Sequence, residues 1–408
     1  MSSLPVSFDD VGRAAARIKD HVVRTPTVPA PALADLSPAS LTLKLENLQP
    51  TGAFKVRGAC NRLEALTESE RMRGVIALSA GNHAQGVAYH ARRLGIPATI
   101  VMPRPTPFTK VARTEALGAE VVLVGENLDD ARTHVAERIE TDGLILVHPF
   151  DDALIIAGQG TIALEMLADA PDLDALVVPI GGGGLIGGMA VAAKAIKPDL
   201  RVIGVQSALY PSMVDSLAGR RAYYHGATIA EGIAVKRPGQ LTRPIVNALV
   251  DEIIEVEETD IERAVHRLLV DQKLLIEGAG AAGIAAIMTR PEVFEGAHVG
   301  TVLCGGNIDP RMVSSILMRG LARSGQLVRL RIGIADAPGA LSRISGIIGQ
   351  NDGNIVEVYH LRLLSEMPIK HAEIDVIVET RDPPHVQRIV DALNESGFRA
   401  HIQTSVGG

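Results

Sequence analysis

The feature that most constrains the fold is a regular alternation of short apolar runs with stretches of helical character. Continuous apolar runs are typical of parallel strands buried on both faces, and helices make the crossovers between such strands. The first half of the chain therefore predicts a twisted parallel sheet flanked by helices. Its strands are predicted at residues 74–78, 98–102, 121–124 and 144–147, with helices at 82–94, 106–117 and 129–140.

The same alternation resumes after Pro149 and predicts a second, larger α/β lobe. We expect a first domain at residues 1–320, because a chain of 408 residues is too long for one hydrophobic core. Within it, the small lobe is predicted at about 41–149 and the large lobe at 1–40 and 150–320. The strands of the large lobe are predicted at residues 175–180, 201–205, 253–256 and 301–303.

Near Gly320 the pattern changes to strands that alternate polar and apolar residues. Such strands are typical of an antiparallel sheet with one open face. The predicted order is strand, helix, strand, strand, helix, strand, which is the ferredoxin-like α+β unit. We assign this unit to residues 327–403. Its strands are predicted at 327–335, 355–363, 372–379 and 398–402, with helices at 340–349 and 386–393.

Composition excludes several classes of protein. With 40 basic and 47 acidic residues, the formal net charge is −7, so the basic field of a nucleic-acid-binding protein is missing. No apolar run is long enough for a membrane span, and the first twenty residues lack the apolar core of a signal peptide. Two cysteines, Cys60 and Cys304, cannot build a disulfide framework and indicate a reducing, cytoplasmic compartment.

The first candidate site is the segment TGAFKVRGA at residues 51–59, where a turn is followed by Lys55 and a predicted helix. A single lysine at such a junction is ordinarily a surface charge. The alternative is a lysine that forms a Schiff base, which needs a partly desolvated pocket to lower the pKa of its amine. The small and apolar neighbours of Lys55 are compatible with such a pocket.

The second candidate is SAGNHAQG at residues 79–86, where a predicted strand leads into a helix. Ser79 or Asn82 could cap this helix, and its free N–H groups would hold an anion such as a carboxylate. Capping alone is the simpler alternative. His83 is a candidate base, although a histidine in the first turn of a helix is more often structural.

The third candidate is PIGGGGLIGG at residues 179–188, again between a predicted strand and a helix. Four consecutive glycines let main-chain N–H groups wrap around an anion. The spacing also satisfies G-x-G-x-x-G, but Gln206 stands where a dinucleotide site would place an acidic residue. The loop therefore predicts a phosphate site better than an NAD site.

The fourth candidate is LCGGNID at residues 303–309. Cys304 ends a predicted strand, at the sheet edge where α/β proteins bind ligands. A buried apolar thiol is the alternative, and it is the commoner case. The twelve histidines are scattered, without a pair at zinc spacing, so no metal site is predicted.

Together, these four segments in this order resemble the threonine deaminases of the fold type II pyridoxal-phosphate family, and the C-terminal unit resembles an ACT domain. The resemblance extends from about Asp9 to Ile402. It implies a two-lobed catalytic domain that uses pyridoxal 5′-phosphate to convert L-threonine into 2-oxobutanoate and ammonia. It also implies a homotetramer or homodimer.

The resemblance assigns roles to individual residues. Lys55 would carry the cofactor covalently and act as the catalytic base, Asn82 would contact the cofactor's 3′-oxygen, and Cys304 would face its pyridine nitrogen. Ser79, Asn82 and His83 would bind the substrate carboxylate. The implied phosphate-binding loop comprises Gly181, Gly182, Gly183, Gly184 and Leu185.

Two departures separate this chain from the serine racemases of the same fold. Those enzymes carry a second acid–base serine where this chain has Ala80, so racemisation is disfavoured. They also bind a divalent metal through an acidic residue where this chain has Gln206, so no such metal is expected.

The ACT resemblance rests on the segment DAPGAL at residues 336–341 and on an asparagine at the next strand. It implies that a free amino acid, isoleucine or valine, binds here as an effector. A module that only mediates dimerisation is the alternative. The implied effector-binding residues are Asp336, Gly339, Ala340, Leu341 and Asn354.

Rival functions remain open at this point. An L-serine or 3-hydroxyaspartate ammonia-lyase would share the same machinery, because substrate choice depends on pocket shape that motifs do not reveal. A rival of another class is a non-catalytic ACT amino-acid sensor with a degenerate enzyme domain. The intact Lys55, Asn82 and glycine loop argue against that sensor.

Overall fold

A computed structural model describes residues 4–220, 223–335, 337–361 and 371–403. The chain divides into two compact units, Met1–Ile308 and Asp309–Gly408. The first unit is α/β, with parallel sheets flanked by helices, which confirms the predicted fold class.

The strands of the first unit form two sheets. In chain order they are β1 (Thr27–Pro29), β2 (Ser40–Lys44), β3 (Val75–Leu78), β4 (Ala98–Met102), β5 (Glu120–Leu123), β6 (Ile145–Leu146), β7 (Ala175–Pro179), β8 (Arg201–Ser207), β9 (Glu252–Val256) and β10 (His298–Val302). The smaller sheet has the order β5-β4-β3-β6 and is parallel throughout. The larger sheet has the order β1-β2-β10-β7-β8-β9, in which β1 runs antiparallel to β2 and the other pairs are parallel.

Helices cover both sheets. They are α1 (Phe8–Ile18), α2 (Lys55–Glu64), α3 (Glu68–Arg73), α4 (Asn82–Leu94), α5 (Phe108–Ala116), α6 (Leu128–Asp142), α7 (Ala153–Asp169), α8 (Gly184–Ile196), α9 (Ser212–Leu217), α10 (Thr242–Leu249), α11 (Glu258–Val270) and α12 (Gly278–Thr289). Local signals set their ends. The Asp152 side chain accepts from the first-turn N–H groups of α7, and Gly95, at φ 67°, ends α4 in the left-handed conformation.

Strand β2 illustrates a limit of local patterns. The predicted small lobe begins at residue 41, but β2 pairs with β10 in the larger sheet, where Leu43 lies opposite Thr301. Pairing between strands so far apart in sequence leaves no local signal, because an apolar run fits either sheet equally well.

A buried ion network fixes the start of α2. Arg57 is fully buried and donates through Nε and Nη2 to the buried carboxylate of Glu46, at 2.8 Å each. Its Nη1 and Nη2 also donate to Glu165 of α7, at 2.7 and 2.8 Å, and the buried amine of Lys44 completes the group. Because each charge has a partner, the network joins β2, α2 and α7 without leaving an unpaired charge inside the protein.

Helices α7 and α8 pack closely through glycine. A Cβ added at Gly188 would lie 2.1 Å from the main-chain oxygen of Ile156, and one added at Gly160 would lie 2.7 Å from the oxygen of Gly188. Such distances exclude any side chain, so this contact depends on glycine at both helices.

The second unit contains helices α13 (Pro310–Arg323), α14 (Ala340–Gln350) and α15 (Pro383–Glu395) and strands β11 (Leu327–Ala335), β12 (Asn354–Leu361), β13 (His371–Glu379) and β14 (Arg399–Ile402). From β11 onward, the strands and helices follow the predicted order, and the sheet β12-β13-β11-β14 is antiparallel. Alternate residues of β11 are buried under α14 and α15, namely Val328, Leu330, Ile332 and Ile334. Helix α13, most of which the predicted first domain included, groups with this unit.

Within the described ranges, no helix combines the length and the apolar character that crossing a membrane requires.

We predict that Gly188→Ala destabilises the protein by about 1–3 kcal/mol, because the new methyl group forces α7 and α8 apart. Thermal unfolding followed by circular dichroism measures this as a lower midpoint. The matched control is Gly12→Ala in α1, where an added Cβ meets nothing within 4 Å. That control should be neutral or slightly stabilising, since alanine favours helix. Equal midpoints for both variants would contradict the packing described here.

Candidate active site

The predicted catalytic and cofactor-binding residues lie just beyond the carboxyl ends of parallel strands, in loops or at the first residues of the helices that follow. Asn82 directly follows the loop after β3, the glycines of residues 181–184 follow β7, and Cys304 follows β10. Lys55 is the first residue of α2, which comes after β2. Parallel strands bring their carboxyl ends to one edge of a sheet, and α/β proteins place ligands there.

The side-chain amine of Lys55 has a pKa close to neutral pH. Its side chain is half-buried, and Nζ donates to the main-chain oxygen of Pro149 at 2.7 Å. Burial lowers the pKa of this amine to about 8, while the negative charge of the Glu277 carboxylate acts in the opposite direction. About a tenth of the amine is therefore unprotonated at pH 7 and about half at pH 8, and the unprotonated form is the one that acts as a nucleophile or a base.

Helix α4 begins without a side-chain cap. Its N-cap residue is Gly81, and the Ser79 hydroxyl instead accepts from the Gly81 N–H at 3.2 Å. The prediction that Ser79 or Asn82 caps this helix is therefore wrong, because Gly81 occupies the cap position and has no side chain. The N–H groups of the first turn remain available to a bound carboxylate.

His83 is a neutral side chain. It is 3% exposed, and its Nε2 lies 2.8 Å from the main-chain oxygen of Val147, so Nε2 must carry the proton. Burial, assisted by the positive charge of Lys55, lowers the pKa of the imidazole to about 3. Such a weak base is poorly suited to taking a proton from carbon.

The glycine loop forms a cradle. Gly183, at φ 94°, is the N-cap of α8, and a Cβ there would lie 2.7 Å from Thr242 Oγ1. A Cβ at Gly182 would lie 2.3 Å from the Phe150 ring. The Thr242 hydroxyl holds the loop by donating to the Gly182 oxygen at 2.6 Å. The carbonyl group of Gly182 is therefore held in place. The main-chain N–H groups of the loop and of the uncapped start of α8 are free to bind a phosphate.

Cys304 and Glu277 complete the site beside Lys55. Cys304 is 3% exposed, and burial together with the charge of Glu277 holds the pKa of its thiol well above the usual range, so it is a neutral thiol. Burial also raises the pKa of Glu277 to about 7. Glu277 is not among the residues that the sequence motifs predict. The available signal was an acidic residue directly before the small-residue helix GAGAAG of α12.

The oxygen and the nitrogen of the Gln206 side-chain amide both form hydrogen bonds within the protein. It is buried, its Oε1 accepts from the N–H groups of Met213 and Val214 at 3.1 Å each, and its Nε2 donates to the Tyr210 oxygen at 3.2 Å. Across the described residues, histidine, cysteine and carboxylate side chains form no group that could hold a metal ion.

Gly339, Ala340 and Leu341 lie at the start of α14, whereas Asn354 lies beyond the other end of this helix, at the start of β12, so the structure does not bring Asn354 together with the other three. Gly339, at φ 85°, is the N-cap of this helix and Ala340 is its first residue, while Leu341 is exposed. The Asn354 amide donates to Glu379 at 2.9 Å across the β12–β13 pair. Asp336 lies outside the described residues.

The chain matches the pyridoxal-phosphate dependent enzyme family over residues 18–305. It therefore belongs to this family. The features just described fit the cofactor, because the glycine cradle suits a phosphate and the half-buried amine of Lys55 suits an aldehyde. The cofactor of the protein is pyridoxal 5′-phosphate.

Similar proteins include an L-threonine ammonia-lyase from Thermotoga maritima, 45% identical over 399 residues, which cover 97% of this chain and 99% of that protein. The solved processed form of threonine deaminase isoform 2 from Solanum lycopersicum is 34% identical, with a TM-score of 0.71, covering 76% of this chain and 88% of the other. The solved serine racemase of maize is 34% identical, with a TM-score of 0.73, covering 78% and 99%.

We predict that Lys55 reacts with amine reagents around pH 8, because about half of its amines are unprotonated there, whereas an amine at the ordinary pKa of 10.5 stays protonated. The measurement is brief reductive methylation of the cofactor-free protein from about pH 6 to about pH 10, the interval in which the two kinds of amine separate. Peptide mapping by mass spectrometry reads out each lysine, and surface lysines in the same digest are the internal reference. If methylation of Lys55 depends on pH in the same way as methylation of the surface lysines, the Lys55 amine is not desolvated.

Proposed function

We propose that this protein is a pyridoxal-phosphate-dependent ammonia-lyase that converts L-threonine into 2-oxobutanoate and ammonia by β-elimination of the hydroxyl group. The observation that carries the proposal is the half-buried Lys55 amine, with its pKa lowered to about 8, beside the glycine cradle and the uncapped start of α4. The 45% identity to the Thermotoga maritima L-threonine ammonia-lyase supports the choice of substrate.

The residues at the strand ends would hold the cofactor. Lys55 would bind it covalently, the N–H groups of residues 181–185 would bind its phosphate, and Asn82 would donate to its 3′-oxygen. Cys304, a neutral thiol, would face the pyridine nitrogen and would not supply a negative charge that keeps it protonated. When bound, pyridoxal 5′-phosphate supplies an electron sink for the bonds that break at the substrate's Cα.

The substrate carboxylate would bind at the start of α4, where first-turn N–H groups have no side-chain cap. Ser79, Asn82 and His83 surround this point. With the substrate bound, the Lys55 amine would be free to take the proton from Cα onto Nζ. The Cα proton and the β-hydroxyl would thus be lost together as one molecule of water, and the enamine that remains would take up water and hydrolyse to 2-oxobutanoate and ammonia.

A racemase function is less well supported. Racemisation needs a second acid–base group on the opposite face of the substrate from Lys55. Ala80 offers no proton there, and it packs against the apolar core of the small sheet. His83 has a pKa of about 3 and its Nε2 is bound to Val147, so it does not replace the missing hydroxyl.

L-Serine and 3-hydroxyaspartate are rival substrates, because both present the same carboxylate, Cα proton and β-hydroxyl to the residues described above. The non-catalytic sensor is not favoured, since the amine of Lys55, the start of α4 and the glycine cradle are all formed.

We further propose that the second unit is an ACT domain that binds isoleucine or valine and alters the rate of the lyase. Its strand and helix order supports this, and the uncapped start of α14 after Gly339 offers N–H donors for an amino-acid carboxylate. Gly339, Ala340, Leu341 and Asn354 are the proposed contacts, together with Asp336. A homotetramer or homodimer stays a prediction from the resemblance. A cytoplasmic location is supported by two unpaired cysteines.

We predict that Lys55→Ala abolishes the visible absorption band of the cofactor and lowers turnover by more than about a thousandfold, since the base and the covalent attachment are lost together. Absorption spectra and keto-acid release measure both effects. Lys19→Ala, at an exposed surface lysine, is the matched control and should retain both. Full turnover by Lys55→Ala would refute the assigned mechanism.

We predict that the cofactor-loaded protein releases 2-oxobutanoate from L-threonine faster than it releases keto acid from L-serine or L-3-hydroxyaspartate, and that isoleucine or valine changes the threonine rate. Steady-state assays with each substrate, with and without each effector, test both parts. A preference for another substrate would reassign the reaction within the same chemistry. If neither isoleucine nor valine changes the threonine rate, the alternative that the second unit only mediates dimerisation is favoured.

A further inference from the structure

We propose that Glu277 and Asn307 are positioning residues that fix the side-chain amide of Asn82, so that one of its two N–H bonds stays available to the cofactor. The inference rests on the role proposed above for Asn82, which is contact with the cofactor's 3′-oxygen. It adds a reason why that contact has a fixed geometry before the cofactor binds.

The Asn82 amide lies between two partners. Its Oδ1 accepts from Asn307 Nδ2 at 2.8 Å, and its Nδ2 donates to Glu277 Oε1 at 2.8 Å. Asn307 Nδ2 also donates to the main-chain oxygen of Thr51 at 2.7 Å. The four residues come from four separate segments of the chain, so this series of hydrogen bonds exists only in the folded protein.

Chemistry fixes the orientation of both amides. The Thr51 oxygen can only accept, so Asn307 must turn its NH₂ group toward it. That same NH₂ group faces Asn82, which must therefore present its oxygen there and its NH₂ to Glu277. A flipped Asn82 would bring two donors together at Asn307 and leave two acceptors together at an ionised Glu277.

The orientation survives protonation of Glu277. The pKa of this carboxyl is raised to about 7 by burial, so both forms exist near neutral pH. A protonated carboxyl still offers a carbonyl oxygen to Asn82. Asn307, held by Thr51, continues to exclude the flipped amide.

The close approach of Glu277 depends on Gly305. A Cβ at this glycine would lie 2.4 Å from Glu277 Oε1 and 3.1 Å from Asn82 Nδ2. The main-chain N–H of Glu277 also donates to the Gly305 oxygen at 3.0 Å. The loop after β10 therefore has a glycine at a point where a side chain would displace the carboxyl from Asn82.

The Asn82 amide keeps one N–H donor for the cofactor. Asn82 Nδ2 has two N–H bonds, and among the described residues Glu277 takes one of them. The second is free to donate to an acceptor on the cofactor without breaking either existing contact. With its amide already fixed, Asn82 loses little conformational freedom when the cofactor binds.

The test is the affinity of the cofactor-free protein for pyridoxal 5′-phosphate, with the position and pH midpoint of the visible band as a second readout. Glu277→Ala should weaken binding by about tenfold, as expected for loss of a hydrogen bond to a charged group, and shift the band. Glu277→Gln should restore affinity to within about twofold, because its amide oxygen still accepts from Asn82.

Substitutions of Asn307 test the hydrogen bond to the amide oxygen of Asn82. Asn307→Ala should weaken binding, and Asn307→Asp should weaken it at least as much, because aspartate cannot donate to Asn82 Oδ1 and turns the amide round. These two variants carry the test if Glu277→Ala does not fold. Circular dichroism and the unfolding midpoint identify variants that keep the native structure.

A double-mutant cycle decides whether Glu277 acts through Asn82. If it does, Glu277→Ala combined with Asn82→Ala binds the cofactor no more weakly than Asn82→Ala alone. Fully additive losses, an unchanged affinity in Glu277→Ala, or a Glu277→Gln variant as weak as Glu277→Ala would each overturn the inference. An Asn82→Ala variant with full affinity would instead remove the role proposed for Asn82 itself, and the inference with it.

Discussion

The catalytic unit depends on the burial of one guanidinium group. Arg57 bridges Glu46 and Glu165 with no exposure to solvent, and in doing so joins the loop after β2 to α2 and α7. Loss of one partner would leave an uncompensated charge in the interior, which costs several kcal/mol. Because Lys55 lies two residues before Arg57 on the same helix, this network also sets where the reactive amine stands.

Two helix starts and two buried titratable side chains accompany that amine in the site. The starts of α4 and α8 offer N–H donors for a carboxylate and a phosphate, and neither is occupied by a capping side chain. Burial brings the pKa of Lys55 to about 8 and that of Glu277 to about 7, and it keeps the Cys304 thiol protonated. Desolvation thus places two titrating groups near neutrality inside one site, which is the condition for moving protons at that pH.

The side-chain amide of Asn82 connects the start of α4 with the titrating group of Glu277. It belongs to the start of α4, yet its orientation is set by Asn307 and Glu277, which follow β10 and precede α12. A side-chain amide that is free to turn could present either an acceptor or a donor to a ligand. Fixing it removes that ambiguity before binding and ties three loops of the unit to one another.

The sequence by itself determined the elements whose signals are local. It predicted the bounds of α4 and β11 and the glycine turn between a strand and a helix at residues 181–184, because periodicity, glycine and strand-to-helix junctions act within a few residues. Only the tertiary structure decided which sheet receives β2, which residue caps α4, and that Glu277 reaches Asn82. Those outcomes depend on contacts between segments far apart in the chain. Burial, which shifts the pKa values of Lys55 and Glu277, exists only once those segments have packed together.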